Sequence, residues 1–373
     1  MKIVEEMRDM AFGPGEIDVR KVQLTGGVTY TLSLPKPWIE QMDLSPRDSI
    51  RVDWRPSGAL RLTPLEMLAN QEKIITIKAD DIPQGSVHDH LMGAYLSGAD
   101  SIRILHSDTS ERLLQKQIRR FLSNTRGFET MDESDGRIEL RCLISAAEMP
   151  LNASINRMYS LIASLTKDII LKVNAPESDL LEDIDEREAE VDALRYLVER
   201  QLSIALDSHL VASALKLTRN QVVEYSNLAR TLERMMDHAY QMAGLIRDAE
   251  QVEIDVEQPP IAQLVAWQKA LKQLMINIRT RNSFEIEECR RILKTTQHEI
   301  LEFENELVGA RRLSKEDLLL FRISESVRRL CAYARDFGEI LLNLKLYDEI
   351  ISLFNQKRED IVILCDESDN KIS

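Results

Sequence analysis

Apolar residues in the second half of the chain recur at alternating gaps of three and four positions, in two separate series. The first series begins at Tyr225 and the second at Ile323. Because this spacing lines one side of an α-helix, each series predicts a long amphipathic helix with a continuous apolar stripe. The stripes consist of Tyr225, Leu228, Leu232, Met235, Ala239, Met242 and Ile246 in the first helix, and Ile323, Val327, Leu330, Ala334, Phe337, Leu341 and Leu344 in the second.

The two stripe helices belong to a longer repeat. Leu232 and Val327 occupy matching places in the two stripes, which sets an offset of 95 residues. Two further helical stretches precede each stripe helix, at 155–173 and 179–206 in the first set and at 261–281 and 284–310 in the second. The sequence therefore predicts two three-helix units, at 151–250 and 258–350. We expect them to pack as one six-helix bundle over 149–350, followed by a C-terminal tail at 351–373.

The first half of the chain has a different pattern, with short apolar runs separated by Gly and Pro. Residues 17–64 predict strands at 19–24 and 28–34, a short helix at 38–42, and a hairpin of 49–54 with 59–62. Residues 67–148 alternate strands with helices and predict a small α/β domain of unknown role. The predicted protein is thus multi-domain, with an N-terminal β domain at 1–66, the α/β domain, and the all-α bundle.

Length and composition favour several folded domains in the cytoplasm. A chain of 373 residues corresponds to two or three domains. No uncharged run approaches the roughly 20 residues that span a bilayer, so we expect no membrane insertion. The first residues contain no continuous apolar segment of the kind that directs secretion. The four cysteines are far apart in sequence, which supports neither a zinc site nor a redox motif.

Charge is distributed unevenly along the chain. There are 48 Lys and Arg against 62 Asp and Glu, and the net charge of −14 argues against nucleic acid as a partner. Residues 20–64 nevertheless carry +3, a local positive charge that can attract DNA phosphates. The alternative is a dimerisation domain with a solvated basic face. The charged residues of this segment are Arg20, Lys21, Lys36, Arg47, Arg51, Arg55 and Arg61 against Glu40, Asp43, Asp48 and Asp53.

The same segment resembles the AbrB/SpoVT family of swapped-hairpin DNA-binding domains. The resemblance is carried by the runs Val19-Arg20-Lys21-Val22, Gly26-Gly27, Ser33-Leu34-Pro35 and Leu44-Ser45-Pro46-Arg47-Asp48-Ser49-Ile50-Arg51-Val52. It implies that two chains interleave their hairpins into a homodimer, and that Arg20 and Lys21 contact DNA, with Lys36 as a further candidate. Arg47 stands where the family pattern usually has Gly.

Two pairs of carboxylates in the helical half share one spacing. Glu233 and Asp237 are four residues apart on the first stripe helix, and Glu188 and Asp192 are four apart on the helix before it. Residues at this spacing share a helix face, so neighbouring antiparallel helices could bring the two pairs together. Four carboxylates suit iron, manganese or magnesium better than zinc. The alternative is that these residues simply form solvated helix faces.

The run Leu232-Glu233-Arg234-Met235-Met236-Asp237-His238-Ala239, in its doubled three-helix setting, resembles the PhoU family. The resemblance implies regulation of phosphate uptake through a phosphate transporter and its signalling partners. It also implies that divalent or iron ions bind to acidic surface motifs, with Glu233 and Asp237 as the first candidates and Glu188 and Asp192 as the next. In the second repeat Arg328 and Ala332 stand at the places of Glu233 and Asp237, so we expect at most one metal site per chain.

Two functional hypotheses follow. The first is a regulator of phosphate uptake and homeostasis that binds DNA as a homodimer, while its bundle senses a metal, a phosphate-state signal or a partner. The alternative is an interaction protein that does not bind DNA and docks on the phosphate transporter or its signalling partner. We expect no enzyme and no organic cofactor, because the sequence has no nucleophile–base motif and no Walker loop. It also lacks the Glu-x-x-His motif of carboxylate-bridged metal enzymes.

Overall fold

A computed structural model describes residues 17–54, 59–65, 72–107, 111–146, 148–175, 178–249, 254–309 and 314–369. The chain divides into two compact units between Glu72 and Lys73. The predicted turn at 56–58, the cation Arg55 and the N-terminal residues 1–16 lie outside the described residues. The fold class is confirmed, because a β-rich N-terminal region with small sheets precedes a C-terminal helical bundle.

The first unit contains two antiparallel hairpins and one short helix. In the first hairpin Leu24 lies opposite Tyr30, and in the second Val52 lies opposite Leu62. Pro37 lies in the first turn of the helix, where its fixed φ and missing N–H are well tolerated. The elements are β1 (Gln23–Thr25), β2 (Thr29–Thr31), α1 (Lys36–Gln41), β3 (Ile50–Trp54) and β4 (Leu60–Pro64).

The strands of the first hairpin are shorter than the pattern predicts. Only three residues pair on each side of the turn at Gly26 and Gly27, whereas strands are predicted at 19–24 and 28–34. Among the described residues the ribbon has no third strand and no core beneath it, so little holds its ends together. Arg47 has a φ of 88°, a left-handed conformation that Gly adopts more readily than Arg.

The second unit begins with the predicted α/β domain. Its four strands form one sheet in the order β5, β6, β8, β7, in which β5 and β6 are parallel and the other pairs are antiparallel. Both helices pack on one face of the sheet, over a core that includes Leu91, Tyr95, Phe121, Phe128 and Leu140. The elements are β5 (Ile74–Lys78), α2 (Val87–Leu96), β6 (Ser101–Leu105), α3 (Glu111–Asn124), β7 (Phe128–Ser134) and β8 (Arg137–Cys142).

The rest of the second unit is the helical bundle. Every member of both predicted apolar stripes is buried in one continuous core. Thr218 starts the first stripe helix by a reciprocal pair of capping hydrogen bonds with Gln221. The helices are α4 (Leu151–Asn174), α5 (Ile184–Asp207), α6 (His209–Ala214), α7 (Arg219–Arg247), α8 (Ile261–Thr280), α9 (Ser283–Gly309) and α10 (Lys315–Asp369). The short α6 is not predicted by the sequence, and α10 continues beyond the predicted end of the bundle at 350.

Helix α5 joins the bundle to the α/β domain. Arg200 donates to the backbone oxygen of Tyr95 at 2.8 Å, and its guanidinium lies over the ring of Phe128. Gln201 donates to the backbone oxygens of Ala146 and Met149 at 2.9 and 2.7 Å. These bonds fix α5 against the α/β core and against the segment between β8 and α4, so α5 contacts both parts of the second unit. None of the helices among the described residues combines the length and hydropathy of a membrane span.

Candidate functional site

The structure brings the four predicted metal ligands onto facing sides of α5 and α7. Glu188 and Asp192 lie on α5, Glu233 and Asp237 lie on α7, and all four side chains are half-buried. We call these four residues the acidic cluster. The spacing of four within each helix produces this arrangement, because it places both members of a pair on the same face.

Opposite charges pair along the same α5–α7 contact. Arg195 Nε on α5 lies 3.2 Å from Glu233 Oε1 on α7, and Arg195 also donates from Nη1 to Glu199 Oε2 at 3.2 Å. One helical turn further, Arg230 Nε donates to Glu199 Oε1 at 2.8 Å. Because higher numbers on α7 meet lower numbers on α5, the two helices are antiparallel. Asp192 and Asp237 then lie beyond the end of this row of ion pairs.

Burial and mutual repulsion disfavour the charged form of every member of the acidic cluster. The pKa of Glu233 is raised to about 7, chiefly by burial, with Asp237 and Asp192 adding to the rise and Arg195 opposing it. Burial also raises the pKa of Asp237, to which Asp192 adds, and of Glu188, to which Asp192 and Asp237 add. The pKa of Asp192 is raised by its burial and by Glu199, against the effect of Arg195. The nearby cations therefore do not balance the negative charge that the four carboxylates would carry if all were ionised.

The guanidinium of Arg195 lies between the helices where a bound cation would be expected. Its Nε is buried without a well-aligned hydrogen-bond acceptor, so its contact with Glu233 is an ion pair of imperfect geometry. Across the part of the chain that the structure describes, no three His, Cys, Asp or Glu side chains are grouped closely enough to hold a metal ion. The carboxylates have the right chemistry for a hard cation, and Arg195 already supplies one positive charge among them. Metal binding by the cluster stays a prediction.

The three predicted DNA-contacting residues differ in how free their charges are. Arg20 donates from Nε to Asp18 at 2.8 Å and from Nη1 to Ser33 Oγ at 3.2 Å, so its charge is already paired. Lys36 and Glu40 form an exposed pair one helical turn apart at 3.5 Å, which is weak in water. Lys21 is exposed and forms no ion pair with the described residues. Lys21 is therefore the least restrained of the three.

A comparison with protein families bears on the helices that carry the acidic cluster. The family model of the PhoU domain matches residues 155–246. Residues 155–246 are a PhoU domain. The PhoU domain extends from α4 to the end of α7 and includes all four members of the acidic cluster. It supports a role in regulating phosphate homeostasis. No curated protein matches the chain.

The second three-helix unit lies outside the residues matched to the PhoU domain, and it uses different charges. Arg328, at the place that corresponds to Glu233, contacts Glu304 on α9 with its Nε at 3.1 Å from Oε2. The oxygen of Ser324 also donates to Glu304 at 3.2 Å. Each three-helix unit thus has ion pairs between its stripe helix and the preceding long helix, but a cation in the second unit stands at the place of the anion Glu233.

His238 of the PhoU domain faces the second three-helix unit of the bundle rather than the acidic cluster. Its ring stacks on Tyr333 of α10 with 5.8 Å between ring centres and 27° between planes. Burial and Arg329 lower the pKa of His238 and favour the neutral ring. His238 therefore packs between the two three-helix units of the bundle, although it directly follows Asp237 in the sequence.

The sequence analysis missed Arg195, the residue that most changes the site. Arg195 lies three residues after Asp192 and four before Glu199, so it shares their helix face. Opposite charges at these spacings are the signal that could have identified it. The partner on the other helix could not be identified in this way, because the register of two packed helices depends on the whole core.

Proposed function

We propose that this protein is a homodimeric regulator of phosphate homeostasis in the cytoplasm, which binds DNA through residues 17–65 and receives its signal through the PhoU domain. The PhoU domain supports the regulatory part of this proposal. The dimer and the DNA contact are supported by the surface of the first unit.

The observation that carries the proposal is an apolar surface on the first hairpin. Leu24 and Tyr30 point to one face of the hairpin and are 59% and 75% exposed. The opposite face holds Gln23, Thr25, Thr29 and Thr31. Burying one large apolar side chain stabilises a fold by about 1.5–3 kcal/mol, so this face leaves considerable stabilisation unused in one chain. A second copy offers the same face, and two identical apolar faces match across a twofold axis.

A dimer would also concentrate positive charge. The +3 charge of residues 20–64 becomes +6 when two copies associate. Lys21 is next to the apolar hairpin and forms no ion pair with the described residues, so two copies place two exposed lysines on one assembled domain. DNA binding by such a domain depends strongly on salt, because each phosphate contact releases counterions.

The test is selection of genomic DNA fragments by the full-length protein at a fixed low salt concentration, followed by sequencing. We expect enrichment of fragments upstream of phosphate-transport genes. The double variant Arg20→Gln/Lys21→Gln should lose this enrichment, because it removes two cations per chain from the proposed DNA surface. Lys269→Gln/Lys272→Gln, which removes two exposed lysines from α8 of the bundle, is the matched control and should retain it. Binding without enrichment of any fragment would contradict sequence-specific regulation.

A second candidate function is the interaction protein that docks on the phosphate transporter or its signalling partner. It is favoured by the pairing of Arg20 with Asp18, which removes one of the proposed DNA cations. The two functions differ in the same experiment. If the wild-type protein binds no DNA at low salt while it is dimeric, the docking function is supported and the DNA-binding function is excluded.

A further inference from the structure

Helix α3 of the α/β domain presents a row of four cations to solvent. The row consists of Arg112, Lys116, Arg119 and Arg120, all of which are exposed. They occupy places i, i+4, i+7 and i+8, which share one side of a helix. At 1.5 Å of rise per residue the row is about 12 Å long. We call these four residues the α3 basic row.

The α3 basic row is not neutralised by the described part of the chain. No Asp or Glu among the described residues lies within 4.0 Å of its charged groups. Arg119 Nε donates to the backbone oxygen of Gln115, which leaves its charge unpaired. The contrast with the other face of the same sheet is clear, because there Arg103, Arg137 and Arg141 all converge on Glu139.

The opposite side of α3 anchors the row rigidly. Leu114, Ile118 and Phe121 are buried in the core of the α/β domain. Helix α3 cannot rotate to place these side chains in a membrane without dismantling that core. Interfacial membrane helices need large apolar side chains on their free face, and the free side of α3 offers only the partly exposed Leu113. Protein interfaces likewise need apolar or aromatic anchors at their centre.

We propose that the α3 basic row binds the phosphate backbone of duplex DNA. The row offers charge and little else, which suits a partner whose surface is a regular series of anions. One strand of B-DNA presents a phosphate about every 3.4 Å of its axis, so a row about 12 Å long can meet three or four phosphates. Three of the four cations are arginines, which bind phosphate oxygens with two parallel hydrogen bonds. This binding is independent of sequence.

This inference goes beyond the proposed function, because it assigns DNA binding to the α/β domain and needs neither the first hairpin nor the PhoU domain. The two DNA surfaces predict different losses. Arg20→Gln/Lys21→Gln should remove preference for particular fragments, whereas changes in the α3 basic row should weaken binding to every duplex. If the experiment contradicts DNA binding by one surface, the prediction for the other surface still stands.

The test compares two triple variants of the full-length protein that each lose three exposed cations. The first is Arg112→Gln/Lys116→Gln/Arg120→Gln on α3. The matched control is Lys269→Gln/Lys272→Gln/Arg279→Gln, which removes an exposed row from α8 of the bundle. Affinity for a fluorescent duplex of random sequence is measured by anisotropy between about 50 and 200 mM salt. Each lost phosphate contact changes the slope of log affinity against log salt by about 0.9.

We expect the α3 variant to bind the duplex more weakly at every salt concentration and to lose about two to three units of slope. The α8 control should keep the wild-type slope. Equal slopes for the wild-type protein and the α3 variant would overturn the proposal, as would an equal loss in the α8 control. A parallel titration with phosphatidylserine vesicles tests the competing anion. If the α3 variant loses vesicle binding but keeps its duplex binding, the row binds membranes and the proposal is wrong.

Discussion

Arg195 decides the chemistry of the acidic cluster at the scale of single residues. Without it, Glu233 would lose its ion pair to α5, while Glu199 would keep its pair with Arg230. With it, Glu199 and Glu233 each contact a guanidinium, while Asp192 and Asp237 form no ion pair within the described part of the chain. The spacing of Glu188, Asp192, Glu233 and Asp237 was sufficient to predict that they would face each other. It could not show that a cation from the same chain lies among them, because that depends on which face of α5 packs against α7.

The raised pKa of Glu233 gives a prediction about pH and stability. Its pKa is about 7 in the folded protein, above the usual value for Glu, because its side chain is buried beside other carboxylates. The folded state therefore holds this proton more tightly than the unfolded state does. The contribution to stability is complete below the unfolded pKa and is lost as the pH rises through about 7. Glu233→Gln keeps the neutral form at all pH values, so it should stabilise the protein at pH 8 and have little effect at pH 5.

Glu190, a partly buried residue of α5, is the control with the opposite sign. Arg157 donates to both of its oxygens at 2.8 and 2.9 Å and lowers its pKa. Glu190→Gln should therefore destabilise the protein slightly at pH 8. Thermal unfolding followed by circular dichroism at both pH values measures the effects. We expect a shift of a few degrees for Glu233→Gln, corresponding to about 1 kcal/mol after allowing for solvent screening. A lower melting temperature for Glu233→Gln at pH 8 would show that its pair with Arg195 outweighs its burial.

At the scale of elements, the sequence was most informative where one helix face is buried. The stripes from Tyr225 to Ile246 and from Ile323 to Leu344 were predicted completely, because a core under one face enforces the alternation of three and four. The strands at 19–24 and 28–34 were predicted too long, because β-forming residues such as Val19 and Leu32 have no described partner strand in a single chain. The α3 basic row was overlooked, because a charged helix face has no period that separates a binding surface from ordinary solvation.

The contact between α5 and the α/β domain can be tested at Gly98, the residue that follows the C-cap of α2. Gly98 has a φ of 84°, and a Cβ there would lie 2.8 Å from Cγ1 of Ile204 on α5. Gly98→Ala combines a left-handed backbone, which costs about 1–2 kcal/mol, with this collision. We expect the melting temperature to fall by about 4–8 °C. Gly93→Ala, in the middle of the same helix with open space around its Cα, should be neutral or stabilising.

A second substitution separates the two causes of the loss at Gly98. Ile204→Ala makes room for the added methyl group but leaves the backbone strain in place. The double variant Gly98→Ala/Ile204→Ala should therefore lose less stability than the sum of the losses of the two single variants. Strictly additive losses would mean that α5 and α2 move apart without cost, and that the α/β domain is not held firmly to the bundle.

At the scale of the whole molecule, the net charge of −14 conceals two separate basic surfaces. One is the +3 segment at residues 20–64, and the other is the α3 basic row. The bundle carries much of the acidic excess, which repels nucleic acid. Binding to DNA should then be confined to the two basic surfaces and should weaken steeply with salt.

The association of two chains is the prediction on which the proposed function depends most directly. Leu24 and Tyr30 lie opposite each other on the exposed apolar face of the first hairpin. Leu24→Glu/Tyr30→Glu places four carboxylates per dimer on that face, so the variant should be monomeric where the wild-type protein is dimeric. Sedimentation equilibrium measures the mass of the assembly. The protein concentration is fixed at about 10 μM, because the apparent stability of such dimers depends on concentration.

The matched control places its charges on the other face of the hairpin. Gln23→Glu/Thr29→Glu adds the same charge to the polar face and should leave the dimer intact. The helical circular dichroism of the bundle should be unchanged in both variants, which separates lost association from unfolding. A wild-type mass of one chain under these conditions would contradict the dimer, and with it the assembled DNA-binding domain.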